Sequence, residues 1–317
     1  MISSLDLARI CGVSQGTVDR ALHDRPGVSA KTKERIQAAA REHGYLPHPA
    51  TQELLSGSSR ILGALVPSLN VLFFMDFLNA VKSACDSAGL RLFITPVADK
   101  REFADALADF AARRIAGALA VPPEEGILIP EQIERSLPIA TLLSPCANES
   151  IPLFAPNERA TGEDAVAYLT SLGHERILHV TYARSAFAID QRRIGYMEAM
   201  VRRKLQPKTC IDYDSAALKA VMAEYRPTAL FCHNDALAFS VIRTLEADGI
   251  SVPHEISVLG VDNSPTFNQF QAGITTMEYP SEEVARKAMA WLIDRTDQRP
   301  ISRLRVVERE TTKAFAR

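Results

Sequence analysis

Leu5-Asp6-Leu7-Ala8-Arg9-Ile10-Cys11-Gly12-Val13-Ser14-Gln15-Gly16-Thr17-Val18-Asp19-Arg20-Ala21-Leu22 is the stretch that decides the fold of this 317-residue chain. Leu5, Leu7, Ala8 and Ile10 form one apolar helical face after an N-cap at Ser3 or Ser4, and Gly12 ends it. Ser14 caps a second helix over 15–23, in which Val18, Ala21 and Leu22 recur at the i, i+3, i+4 spacing. A helix, a tight glycine-bearing turn and a second helix read as a helix-turn-helix. Ala8 is small where the helices must cross, and Val13 and Val18 seal the crossing. Gln15, Gly16, Thr17 and Arg20 then project from the exposed face, where glutamine can pair with adenine and arginine with guanine. The amides behind Ser14 can hold a phosphate. Gly12-Val13-Ser14-Gln15-Gly16 also matches the G-x-S-x-G nucleophile elbow of serine hydrolases. That elbow needs a buried strand before its serine, and Leu5 to Cys11 instead has helical spacing with charged Asp6 and Arg9.

Outward from this stretch, Asp24-Arg25-Pro26-Gly27 is a turn, and Ser29 caps a third helix whose Ile36, Ala39 and Ala40 face inward until Gly44. Pro49 and Gly57 suit the two ends of a short helix over 50–56. From Ile61 short apolar runs alternate with amphipathic stretches. Strands are expected at 61–66, 91–95, 116–121, 139–143, 176–180, 229–232 and 257–261, with helices between most of them. This alternation implies parallel sheets covered on both faces. The expected fold class is α/β, with an all-α headpiece at the N-terminal end.

Composition narrows the function classes. With 47% hydrophobic and 23% charged residues the chain can bury a real core. The net charge of -2 carries no whole-chain signal for nucleic acid, so a small part of the chain must do any DNA binding. Residues 1–57 hold seven basic against six acidic residues, a net of about +1, so modest nonspecific affinity and dependence on dimerisation are expected. The longest apolar runs, 61–67 and 115–122, are far shorter than the roughly 18–20 residues of a membrane helix. Met1-Ile2-Ser3-Ser4-Leu5-Asp6 has no export signature, which gives a cytoplasmic expectation. Cys11, Cys85, Cys146, Cys210 and Cys232 form no C-x-x-C pair and are expected as buried small hydrophobes. No P-loop, G-x-G-x-x-G, H-E-x-x-H or EF-hand spacing occurs, so neither an enzyme, a cofactor nor a metal site is expected. Met197 and Met200 read as core filler.

The opening stretch, followed by Arg25-Pro26-Gly27-Val28-Ser29 and Gly44-Tyr45-Leu46-Pro47, resembles the DNA-binding headpiece of the lactose-repressor (LacI) family of bacterial transcription regulators. The resemblance implies that Gln15, Gly16 and Arg20 read bases, with Gly16 contributing weakly or sterically. It also implies that Leu54 wedges a base step in the minor groove, at a cost repaid by added contact; the plainer alternative packs Leu54 on the neighbouring domain. Asp19, His48 and Thr51 depart from the family pattern, and a carboxylate at position 19 would repel phosphates unless it pairs with Arg20 or Arg25 or binds a cytosine amine.

From Ile61 the chain resembles the family's two-lobed periplasmic-binding-protein-like core, with ligand held beyond the carboxyl ends of the strands. The implied division is a headpiece over 1–46, a hinge over 47–60 and an effector-binding and dimerisation domain over 61–317. Its first lobe covers about 61–156 plus 278–300, and its second about 157–277 plus 301–317. Phe73 or Phe74 can stack on a sugar or base, or serve equally well as core. Arg192, three before Gly195-Tyr196, resembles the arginine that reaches the ligand. Asp235 follows Asn234 at a strand end, and Asp262 lies in Gly260-Val261-Asp262-Asn263. One guanidinium fork and two carboxylates in one cleft suit a hydroxyl-rich ligand. The expected protein is a homodimeric repressor on a pseudo-palindromic double-stranded operator, controlled by a small molecule, first a carbohydrate and next a nucleobase or nucleoside. The rival readings are a solute-binding transport protein, and a regulator that senses sugar but binds DNA weakly.

Overall fold

The structure is a computed structural model that describes residues 2–45, 59–183, 186–269, 273–296 and 300–315. The expected helix over 50–56 and Leu54 lie outside the described residues. The chain divides into two compact units, Met1–Ser59 and Arg60–Arg317.

The small unit is three helices: α1 (Ser4–Cys11), α2 (Gln15–Leu22) and α3 (Ala30–Glu42). Each begins at a serine whose hydroxyl accepts a backbone N–H of the first turn. Ser3 takes Asp6 N at 3.2 Å, Ser14 takes Thr17 N at 3.2 Å and Ser29 takes Thr32 N at 3.3 Å. Such a cap contributes about 1 kcal/mol to a helix this short. Ser3 N returns a bond to Asp6 Oδ2 at 3.1 Å, completing a capping box. Gly12 closes α1 with a φ of 61°, the left-handed backbone that a side chain disfavours. Leu7, Val18, Ala21 and Ile36 are fully buried, and Ala8 nearly so, at the three-helix crossing. Arg35 Nη2 donates to Cys11 O at 2.9 Å, tying α3 to the end of α1. The second helix ends at Leu22, one residue earlier than its sequence suggests, because His23 serves as its C-cap.

The large unit holds two sheets. The first contains β1 (Ile61–Val66), β2 (Arg91–Pro96), β3 (Gly117–Ala120), β4 (Ile139–Leu142) and β5 (Leu153–Phe154), all parallel in the order β2-β1-β3-β4-β5. Its connecting helices are α4 (Leu72–Ser87), α5 (Lys100–Ala112) and α6 (Glu131–Ser136). The second sheet has the order β11-β10-β9-β8-β6-β7, built from β6 (Ile177–Thr181), β7 (Lys208–Ile211), β8 (Ala229–Cys232), β9 (Ser257–Asp262), β10 (Thr275–Glu278) and β11 (Arg305–Val307). In this sheet β11 is antiparallel to β10. Its helices are α7 (Glu158–Ser171), α8 (Phe187–Arg202), α9 (Ser215–Tyr225), α10 (Asp235–Ala247) and α11 (Pro265–Asn268).

The chain then returns. Helix α12 (Ser281–Asp294) packs Val284, Ala285, Ala288 and Leu292 against Leu62, Phe77 and Leu142 of the first lobe, before β11 rejoins the second sheet. The backbone therefore passes between lobes three times: after β5, after β10 and before β11.

Strands β5, β7, β10 and β11 were not among those expected from the sequence. Strand β5 is only two residues long, too short for any periodicity to show, and β7, β10 and β11, of three or four residues, carry polar positions such as Lys208, Thr275, Thr276 and Arg305, which mask the apolar run that marks a buried strand. Cys11, Cys85, Cys210 and Cys232 are buried, whereas Cys146 is half-buried. Met200 is fully buried, but Met197 is exposed, which corrects its reading as core filler.

Candidate functional site

The headpiece presents Ser14, Gln15, Gly16 and Arg20 at the surface, with Thr17 half-buried beside them. Ser14 is committed to the cap of α2, its hydroxyl also lying 2.9 Å from Thr17 Oγ1. Gln15 Nε2 donates to Ser4 Oγ at 2.8 Å, so its amide leans on the start of α1. Asp19 accepts from Arg25 Nη1 at 3.1 Å and lies 3.0 Å from His23 Nδ1. Of the two arginines the sequence offered as partners, Arg25 makes this pair, and the carboxylate is matched within the headpiece.

In the large unit, α7 and α8 cross at van der Waals closeness because each carries a glycine at the crossing. A Cβ on Gly195 would lie 1.9 Å from Arg159 O, and one on Gly162 would lie 2.2 Å from Arg192 O. The crossing brings Glu158, in the first turn of α7, against Arg192 of α8. Arg192 Nε donates to Glu158 Oε2 at 2.5 Å, Nη2 donates to Oε1 at 3.1 Å, and Nη1 donates to His233 O at 2.6 Å. Arg192 is 4% exposed and Glu158 2%. A pair this buried depends on such two-pronged geometry, since desolvation opposes it.

Asp235 and Asp262 form a second cluster. The Asp235 carboxylate accepts from Thr276 Oγ1 at 2.6 Å and from Asn263 N at 2.9 Å, and it fills the space where a Cβ on Gly260 would sit. Burial pushes its carboxyl up to about 7, against the pull of those two hydrogen bonds. Asp262 and Asn263 have φ of 121° and 52°, a left-handed pair that costs backbone energy. Asn263 is held there by Asp235, by its own Nδ2 donating to Glu278 Oε1 at 3.0 Å, and by Arg309 Nη2 donating to its Oδ1 at 2.6 Å. Burial, together with the charge of Asp235, raises the Asp262 carboxyl well above the usual aspartate range, while Arg192 opposes the shift.

An open groove of about 1010 Å3 runs past Phe73, Asp76, Asp262, Ser264, Glu278 and Tyr279. The Phe73 ring meets Tyr279 edge-on at 5.0 Å and Phe74 at 5.4 Å, and both phenylalanines are half-buried against the core of the first lobe. Thus Phe73 and Asp262 line the groove, Phe74 supports it, and Arg192 and Asp235 are buried, with their polar atoms bound to protein. Asp76 bridges the lobes: it accepts from Thr266 Oγ1 at 2.6 Å and from Ser264 Oγ.

Three buried hydroxyls among the described residues have no hydrogen-bond partner: Ser144, Thr181 and Tyr279. Each sits at, or within two residues of, the carboxyl end of a strand, β4, β6 and β10 respectively. Leaving such a group unsatisfied costs about 1–3 kcal/mol. The sequence reading missed Glu158, Asp76 and Tyr279. Glu158 lies 34 residues from Arg192, and the signal for it was the pair of glycines, Gly162 and Gly195, set one turn along each helix. Among the described residues no group of three or more His, Cys, Asp or Glu side chains is placed to hold a metal ion, and no helix is long and apolar enough to cross a membrane.

Comparison with known proteins places these features. Residues 5–48 match the model for bacterial regulatory proteins of the lacI family, and residues 166–312 match that for a periplasmic binding protein-like domain. The chain is 29% identical over 309 residues to the HTH-type transcriptional repressor PurR of Vibrio parahaemolyticus, covering 93% of this chain and 92% of the relative. It is 28% identical over 300 residues to the HTH-type transcriptional repressor CytR of Escherichia coli K12, covering 91% and 88%. Its fold matches the lac repressor dimer bound to operator and the anti-inducer ONPF with a TM-score of 0.84 over 99% of both chains, at 22% identity. With a helix-turn-helix at one end, a two-lobed core over the rest, and similarity to repressors over nearly its whole length, the chain joins a DNA-binding domain of the lacI family of bacterial regulatory proteins to a periplasmic binding protein-like domain.

Proposed function

We propose that this chain is a DNA-binding transcriptional repressor that holds a pseudo-palindromic operator as a homodimer and changes its hold when a carbohydrate binds between the lobes. In this reading residues 1–46 are the headpiece, 47–60 the hinge and 61–317 the effector and dimerisation domain. Gln15, Gly16, Thr17 and Arg20 face the major groove, Ser14 sets the helix that carries them, and Leu54 enters the minor groove. Two headpieces related by a two-fold axis require symmetric half-sites. Phe73 and Asp262 touch the effector, Phe74 backs Phe73, and Arg192 and Asp235 shape the site from behind.

The observation that carries the effector reading is the set of three orphan hydroxyls at strand carboxyl ends, drawn from both sheets. Parallel sheets present ligands at that end, and unsatisfied hydroxyls there gain most from a partner rich in hydroxyls. The effector regulates DNA binding to the extent that it prefers one lobe arrangement over the other.

The deciding experiment is selection of bound sequences from a random duplex pool by the purified full-length protein at about 100 mM salt. An enriched palindrome of ~18 base pairs, from half-sites about one helical turn apart, is the expected result. Absence of enrichment, at low salt and with sugars present, refutes the repressor reading.

A further inference from the structure

We propose that the interlobe site is charge-selective: Glu158 cancels the charge of Arg192, so that the effector is an uncharged sugar and sugar phosphates and sugar acids are turned away. The inference rests on the carbohydrate reading above and adds to it the sign of the ligand.

The charge of Arg192 acts on Asp262 and Tyr279 of the groove wall, and a guanidinium so placed would ordinarily attract a phosphate or carboxylate. Here its charge is already spent. Both oxygens of Glu158 are bonded to Nε and Nη2 of Arg192, and Nη1 is held by the carbonyl of His233. Both side chains are almost fully buried, so no solvent screens the pair. All three guanidinium nitrogens are thus engaged by protein, and Arg192 lies behind the groove rather than in its lining, so it presents an entering ligand with no unmatched positive charge. The other charges lining the groove are Asp76, Asp262, Glu278, Glu282 and Glu283 against one cation, Arg286, and Asp262 also feels Asp235 and Glu158. An anion entering here meets several carboxyls and a guanidinium that has no charge to spare. A neutral polyol in the groove meets the Tyr279 hydroxyl, which lacks a partner, and the Phe73 ring without that cost. Like-charge juxtaposition of this kind lowers affinity by ~100-fold or more.

The test uses the full-length protein and inorganic phosphate as probe, with chloride at matched ionic strength as reference. Thermal unfolding is followed for the wild type, for Glu158→Gln, and for Glu158→Gln combined with Arg192→Met. Any phosphate held by the headpiece affects all three alike. Removing the carboxylate frees the guanidinium, so Glu158→Gln gains a phosphate-dependent rise of about 2 °C or more over the wild type. The double variant loses that gain. Equal phosphate responses in the wild type and Glu158→Gln overturn the proposal. A second arm needs no variant. Glucose, galactose, ribose and cellobiose are compared with glucose 6-phosphate, ribose 5-phosphate and glucuronate on the wild type, and tighter binding of any of the three anions than of its parent sugar overturns the charge rule. If none of the sugars binds, the carbohydrate reading falls, while the phosphate comparison still decides the role of Glu158.

Discussion

Gly195→Ala tests the crossing on which the buried Arg192–Glu158 pair depends. The added Cβ would lie 1.9 Å from Arg159 O and 2.8 Å from Arg159 C. Ordinary contact begins near 3.4 Å, so the helix backbones must separate by about 1.5 Å. That displacement exceeds what the 2.5 and 3.1 Å bonds from Arg192 to Glu158 can absorb. Overpacking a tight contact costs about 1–3 kcal/mol. Loosening a buried ion pair adds about 3–5 kcal/mol, because each charge stays out of water without its partner. Alanine returns about 1 kcal/mol through its better helix propensity. The balance, roughly 3–7 kcal/mol, is a large share of a typical stability of about 5–15 kcal/mol. At about 2–4 °C per kcal/mol, the melting temperature should fall by roughly 6–28 °C. Differential scanning calorimetry of the full-length protein measures this directly. A melting temperature within about 3 °C of the wild type, with response to effector retained, would refute the view that the glycines exist to bring Glu158 against Arg192.

Further predictions concern the headpiece and the buried histidine. Arg20→Ala should erase sequence preference while leaving a salt-dependent background, and unchanged preference in a binding titration would remove it from the base-reading set. Asp19→Asn frees Arg25 from its 3.1 Å partner, so nonspecific DNA affinity should rise and the slope of log K against log salt should steepen by about one unit; an unaltered slope would mean that Arg25 does not approach phosphate. His179 is fully buried, and burial lowers its pKa from 6.5 to about 4, with the Phe231 carbonyl partly opposing the shift. The folded state thus binds fewer protons than the unfolded one between those values. Stability from this group is complete above about pH 6.5 and is lost as pH falls through 4, by about 3 kcal/mol. Its ring stacks on Phe231 at 4.6 Å, so His179→Phe should keep the packing, and urea unfolding from pH 7 to 4 should show a flatter dependence than the wild type.

Local rules sufficed wherever local rules decide the conformation. Ser14 and Ser29 cap the helices they were read as capping, and Ser3 was one of two candidates for the first. Their bonds reach only three residues along the chain. The long apolar strands β1, β8 and β9 were legible for the same reason, since nearly every position in them is buried. Strands β7, β10 and β11 depend on neighbours far away in sequence: β10 lies between β9 and β11, and Thr276 is kept buried by a hydrogen bond to Asp235 across 41 residues. The site divides the same way. Arg192 and Asp262 stood out through their motifs, but the chemistry of Arg192 is set by Glu158, which no spacing rule connects to it. Phe73 and Phe74 were equally balanced between core and ligand on sequence grounds. The fold separates them, because only the first of the pair reaches the groove.

Regulation requires that the two lobes hold more than one arrangement, and Asp76 is where that choice can be weighed. Its carboxylate, on α4 of the first lobe, accepts hydrogen bonds from Thr266 Oγ1 at 2.6 Å and from Ser264 Oγ, at the start of α11 in the second. Ser264 is itself the N-cap of α11, accepting Phe267 N at 3.1 Å, so the contact is tied to a fixed helix end. Asp76 is half-buried, which places the two charge-assisted bonds at the low end of their range, about 1–3 kcal/mol together. Asp76→Ala should therefore move the balance between lobe arrangements by roughly tenfold toward separation, since 1.4 kcal/mol is a factor of ten. Small-angle scattering of the full-length protein should show a larger radius of gyration, and an effector that favours the closed arrangement should bind about tenfold more weakly, because it must then supply the closure itself. Unchanged scattering together with unchanged effector affinity would show that the three backbone crossings alone set the lobe arrangement and that Asp76 merely follows it.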